Sequence, residues 1–161
     1  MTKNKVILIL MLIGVTLVSS CDTKRFYEDY IPLNGIGWHP DSVLSISPTE
    51  ISDTISTYNI LLMMRHTTEF KYKNMFFFVD IKMPSGKVLR DTAELILQDN
   101  QGYWFGEGNG FIRSVEHTIH GHYKRNISFP ESGQYEFLIQ HGMRDSLLED
   151  ISDIGIRIER N

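Results

Sequence analysis

After Asp41 the chain alternates apolar and polar side chains with a period of two, the signature of β-strands. Met75, Phe77, Val79, Ile81 and Met83 line one face of such a segment, with Asp80 and Lys82 on the other. Pro84-Ser85-Gly86 predicts a turn, and Lys87–Gln98 follows as one or two strands. Tyr123, Ile127 and Phe129 alternate with Lys124, Asn126 and Ser128. Pro130-Glu131-Ser132-Gly133 then turns the chain into Tyr135, Phe137 and Ile139, which alternate with Glu136 and Gln140. The last segment is the clearest: Ile154, Ile156 and Ile158 inward, Asp153, Arg157 and Glu159 outward. Tyr58–Arg65 is apolar on both faces and reads as a central strand. Only Ser146–Ile151 offers a short helical turn. About eight strands with almost no helix predict an all-β fold, an antiparallel sandwich of jelly-roll or Ig-like type.

The start of the chain has a different pattern. Lys3 and Lys5 precede 13 uncharged, mostly apolar residues, Val6–Val18, and then Ser19, Ser20 and Cys21. A spanning helix needs about 20 apolar residues, so this run reads as a removable secretory signal. Val18-Ser19-Ser20-Cys21 resembles the lipobox of bacterial lipoproteins. That resemblance implies cleavage between Ser20 and Cys21, a diacylglycerol on the thiol and a further acyl group, such as palmitate, on the new amine. One acyl chain holds a protein only marginally, whereas two or more anchor it stably. Residues 1–20 are thus the expected signal, 21–40 a short lipid-anchored connector broken by Pro and Gly, and 41–161 one sandwich domain. Phe26, Tyr27, Tyr30 and Trp38 suggest that part of the connector packs onto the domain.

Charge and cysteine content narrow the function classes. Without Lys3 and Lys5 the remaining chain carries 14 basic and 20 acidic residues, net −6. A mildly acidic domain has no broad attraction to nucleic acid or anionic headgroups, so a nucleic-acid role is not expected. Cys21 is the only cysteine, so no disulfide forms within the chain and the fold must stand on its core.

Two clusters invite a chemical reading. His120 and His122 share a face if His117–His122 is a strand, and paired imidazoles at that spacing can ligate Zn²⁺ or Cu²⁺. No third ligand is marked, and solvated histidines on a surface strand or loop are the favoured reading, so no metal site is expected. In Asp99–Gly110, glycines surround Tyr103, Trp104 and Phe105. Aromatics on a rim loop can stack on sugar rings, and carboxylates there can hold Ca²⁺; the alternative is a hairpin connection capping the core. There is no nucleophile elbow, phosphate-binding loop or zinc-protease motif. No catalytic residue and no cofactor are expected.

An ordered set of short segments carries a resemblance over the whole chain. They are Asn34-Gly35-Ile36-Gly37-Trp38-His39, Tyr58-Asn59 leading to Arg65, Tyr72-Lys73-Asn74, Pro84-Ser85-Gly86 and Asp91-Thr92. Gly102-Tyr103-Trp104-Phe105-Gly106, Phe129–Tyr135, Met143-Arg144 and Asp153–Arg157 complete it. The set resembles the family of gliding-motility lipoproteins known as GldH, from the Bacteroidetes. It departs at His66, where Asn is expected after the Arg, and around Asp99. The resemblance implies a non-catalytic envelope lipoprotein of the gliding apparatus, whose components overlap functionally with type IX secretion. It implies a scaffold whose partners are membrane lipid and other envelope proteins, at the outer membrane facing the periplasm. A glycan-binding accessory lipoprotein using Tyr103, Trp104 and Phe105 is the alternative.

Overall fold

A computed structural model describes residues 22–48, 50–108 and 116–161. Among them are nine strands: β1 (Arg25–Pro32), β2 (Leu44–Ile46), β3 (Tyr58–Thr67), β4 (Asn74–Lys82), β5 (Val88–Ile96), β6 (Glu107–Gly108), β7 (Glu116–Ile127), β8 (Glu136–His141) and β9 (Ile151–Arg160). They form two antiparallel sheets, β1-β9-β3-β7-β6 and β2-β8-β4-β5. The pairs β1·β9, β2·β8, β3·β7 and β4·β5 nest inside one another like the two arms of a long hairpin. Rolling that hairpin over brings β9 against β3 and β8 against β4, which is the jelly-roll arrangement of a β-sandwich.

The alternating patterns become the inner faces. Met75, Phe77 and Val79 of β4, Phe137 and Ile139 of β8, and Ile154, Ile156 and Ile158 of β9 are all fully buried. Tight approach between the sheets is visible at Gly121, where a Cβ would run into the side chain of Leu95. A chain of edge-to-face rings, Phe26–Tyr58–Phe129–Tyr135, with centroids 5.5, 5.2 and 4.9 Å apart, closes one end of the core.

β3 is central, flanked by β9 and β7, as its two-sided apolar pattern predicts. Its even-numbered residues enter the core, while Leu61 and Met63 are buried on the outer face. There the Tyr30 hydroxyl donates to Met63 Sδ at 3.3 Å, and the Arg65 guanidinium lies 5.2 Å from the Tyr30 ring centroid. Arg157, beside Leu61, is gripped by Glu28 at 2.6 Å, Glu159 at 2.8 Å and Asp22. Three carboxylate partners raise its pKa despite burial, so it stays charged at every accessible pH.

Three expectations need correction. Residues 22–40 are not a connector outside the domain: β1 pairs with β9 along its length, and Trp38 is fully buried. Its pattern is hidden because β1 is an edge strand with a bulge between Arg25 and Tyr27. Ser146–Ile151 forms no helical turn; Leu148 pairs with Trp38, and Ile151 already begins β9. The strand expected from Tyr123 starts at Glu116 and takes in His117–His122. Ser20 and Cys21 lie outside the described residues.

The connections segregate to two ends. At one, Arg160 N–H donates to the Lys24 carbonyl at 2.9 Å, and residues 50–57, 83–87 and 128–135 turn the chain. At the other lie residues 33–43, 68–73, 97–106 and 142–150, gathered around Trp38 and Trp104. The ten residues of β9 separate the two ends by about 30 Å, at ~3.4 Å per residue.

Candidate functional site

The Trp38 end is where the predicted binding residues meet the rest of the fold. Trp38 N–H donates to Leu148 O at 2.8 Å, Leu148 N–H returns to Trp38 O at 3.0 Å, and the indole N–H donates to Ser42 O at 2.8 Å. Gly37 makes this docking possible: its φ is +84°, and a Cβ there would lie 2.9 Å from Leu147. The Trp38 ring packs edge-on against His141 at 5.3 Å and against Phe77 at 6.1 Å. Nearby, Asp145 accepts from Tyr72 Oη and pairs with Lys71 Nζ at 3.5 Å, tying residues 68–73 to 142–150.

The aromatic loop is rigidly built. Asp99 Oδ1 accepts from the N–H groups of Gln101 (2.8 Å) and Tyr103 (2.9 Å). Phe105 N–H donates to Leu97 O at 2.8 Å, and Gln98 bridges to Trp104. Gly106, at φ +91°, lies so close to the Thr118 carbonyl that no side chain fits. Alternation splits the three aromatics. Tyr103 is 72% exposed and Phe105 45%, while Trp104 turns inward over His66, with ring centroids 4.5 Å apart. Trp104 thus caps the core, leaving two outward rings.

Sequence reasoning marked His66 only as a departure from the family pattern, not as a buried residue of this end. It occupies the inward phase of β3, opposite His117 of β7, and is fully buried. The available signal was position: His66 continues the even-numbered face of Tyr58, Ile60, Leu62 and Met64 by one more step. His66 Nδ1–H donates to the Thr67 carbonyl at 2.7 Å, leaving Nε2 with no hydrogen-bond partner among the described residues. His141 is likewise buried, with only a weak approach to the Trp38 backbone and no well-formed hydrogen bond to either ring nitrogen among the described residues.

Burial lowers the pKa of both imidazoles. The Thr67 carbonyl opposes this at His66 and His117 reinforces it; at His141 the Trp38 backbone opposes and His39 reinforces it. The unfolded chain titrates near pH 6.5, the folded one lower, so this contribution is complete above about pH 6.5 and is lost as pH falls toward the folded values. The melting temperature is expected to drop between pH 7 and pH 5.5, above the range of carboxylate titration, and His66→Phe with His141→Phe should flatten that drop. An equal slope in the double variant would contradict it.

His120 and His122 stand exposed on the outer face of the first sheet, in register with Met63 and Leu61. Among the described residues no three His, Cys, Asp or Glu side chains converge as metal ligands. A shallow cleft of about 610 Å³ beside Pro32, Thr67 and Asp150 is acidic, but Asp153 in it is already paired with Arg65 at 2.8 Å. What this end offers is therefore a rigid, loop-built surface with two outward aromatics.

Comparison with known proteins gives a consistent picture. The model of the GldH lipoprotein family matches residues 25–158, from the first strand to the last. The gliding motility lipoprotein GldH homolog of Christiangramia forsetii is 36% identical over 154 residues, covering 91% of each chain. The gliding motility lipoprotein GldH of Flavobacterium johnsoniae is 33% identical over 158 residues, covering 94% of each. No solved structure matches. A match that runs from β1 to β9 takes in both sheets and every connection described above, and on it the chain belongs to the GldH lipoprotein family.

Proposed function

We propose that this protein is a non-catalytic, membrane-anchored envelope lipoprotein of the gliding machinery, held by acyl chains on Cys21 and working as a protein–protein scaffold. The observation that carries this reading is the family match over residues 25–158. The lipobox sequence Val18–Cys21 immediately before the domain supports the anchor. Location at the outer membrane facing the periplasm, and a link to type IX secretion, belong to the same reading.

The docking surface is the Trp38 end. Four of the segments that carry the family resemblance (34–39, 72–74, 102–106 and 143–144) lie there, and that end stands about 30 Å from Lys24, at ~3.4 Å per strand residue. A partner bound at that distance would be held clear of the bilayer while remaining tethered to it.

Photo-crosslinking in cells tests this. A crosslinker at Tyr103 or Phe105 should capture other envelope proteins of the gliding or secretion machinery, and one at Lys87, on the opposite end, should not. Deletion of the gene should impair spreading or protein export. Capture from Lys87 alone would move the docking surface, and normal spreading with normal export would defeat the scaffold reading. The outward Tyr103 and Phe105 rings also favour a second reading, in which they stack on a glycan. In that case Tyr103→Ala lowers affinity for a polysaccharide and leaves crosslinking unchanged.

A further inference from the structure

Asp22, the residue after the expected lipidation site, is not on a free leash. It ion-pairs with Arg157, the chain turns at Thr23-Lys24, and the Lys24 carbonyl accepts from Arg160 N–H at 2.9 Å. One peptide unit, 3.8 Å, therefore separates a fixed corner of the sandwich from Cys21. With acyl chains on that residue, the corner has to sit at headgroup level.

The corner is built to meet an interface. Arg160 also donates to Asp53 and, through Nη2, to Ser56 Oγ at 2.9 Å. Asp53 Oδ1 in turn accepts from the N–H groups of Ile55 (2.9 Å) and Ser56 (3.0 Å). These bonds hold the 53–56 turn open with Ile55 at its tip, 92% exposed. No core contact explains an isoleucine presented this way.

Two further features share this end. Val88 and Leu89, 51% and 43% exposed, follow the 83–87 hairpin beside an apolar cleft of about 350 Å³ between Ile81, Ile127 and Pro130. Lys24, Lys87 and Arg125 have no ion partner among the described residues, against two carboxylates there without one, Glu50 and Glu131, the latter accepting from Ser85 N–H and Oγ at 2.9 Å. In a domain that is acidic overall, this end presents apolar side chains ringed by free cations, a pattern suited to an anionic membrane surface.

We infer that the Arg160 end is a membrane-contact face. Ile55 dips into the headgroup region, Lys24, Lys87 and Arg125 meet lipid phosphates, and the sandwich stands upright with its Trp38 end farthest from the bilayer. This inference rests on the lipid anchor of the proposed function and adds an orientation to it.

The test uses the full lipidated protein in vesicles of phosphatidylethanolamine and phosphatidylglycerol. Single cysteines at Ile55, Val88, His122 and Tyr103 carry an environment-sensitive fluorophore, the acylated Cys21 thiol being blocked. Emission at 55 should rise about threefold on vesicle addition, as expected for entry into the headgroup boundary, and should be quenched by headgroup-labelled lipid. Position 88 should follow in the same direction, and position 103 should not change. Quenching at 122 instead would lay the domain on its first sheet and overturn the inference. Silence at both 55 and 88 in a protein that co-floats with vesicles would overturn the inference alone. A protein that fails to float would overturn the anchor and the orientation together.

Discussion

Trp38→Ala is expected to destabilise the domain by about 3–5 kcal/mol, the usual range for truncating a fully buried tryptophan. The side chain has no exposed surface, contacts Phe77 and His141, and donates to Ser42 O at 2.8 Å. Its removal leaves a cavity and takes the indole donor from the Ser42 carbonyl. Against a total stability of roughly 5–15 kcal/mol, that loss removes about a fifth or more of what holds the fold. Urea unfolding followed by circular dichroism reads it as a fall in midpoint at constant slope. Trp38→Phe should recover about half, because it restores most of the volume but not the hydrogen bond. Tyr103→Ala, on the exposed rim of the same end, should stay within about ±0.5 kcal/mol. A Trp38→Ala loss below about 1 kcal/mol would mean that residues 33–43 are not part of the cooperative core. The same experiment measures how firmly a segment that looks like a linker is built into the domain.

Cys21→Ala is expected to abolish membrane association altogether. Lipoprotein processing needs the thiol first: without it no diacylglycerol is attached, and cleavage and amine acylation, which depend on that step, do not follow. The protein then stays uncleaved with its signal, or is found free of the membrane, and incorporates no palmitate. A single acyl chain gives an association constant of only about 10⁴ M⁻¹, and each buried CH₂ contributes about 0.8 kcal/mol. Losing every chain therefore leaves the weak contacts of the Arg160 end, far too little to hold a protein through cell fractionation. The thermal midpoint should not change, because both sheets are closed by strands within residues 25–160. Metabolic labelling with palmitate and fractionation check both points, and a variant that still labels would contradict the lipobox. Spreading should match that of the gene deletion.

How far the molecule was legible beforehand depended on the range of the interactions involved. Met75–Ile81, Tyr135–Ile139 and Ile154–Ile158 announced their burial because alternation along a strand is a local property. The Pro-Gly turns at 84–86 and 130–133 announced themselves for the same reason. β1 did not. Half its residues face the Arg157 network or solvent, and its partner β9 lies at the opposite end of the sequence. The aromatic loop was visible as a composition, but the inward turn of Trp104 depends on His66 and His117 meeting beneath it from two strands. His120 and His122 were correctly placed on one face, yet only the register with Leu61 and Met63 puts them on the outer side of the first sheet.

The sequence by itself determined that this is an all-β protein with strands of period two and that it belongs with the gliding-motility lipoproteins, and it carries the lipobox on which the proposed anchor rests. Each of these is written in contiguous residues, because strand alternation, signal recognition and family motifs are all read along the chain. Only the tertiary structure decided that the strands nest as a jelly roll, that residues 22–40 lie inside the domain, and that the connections divide between a Trp38 end and an Arg160 end. Those outcomes follow from pairing between distant segments, where register is set by which buried faces can meet, and no local pattern encodes that choice.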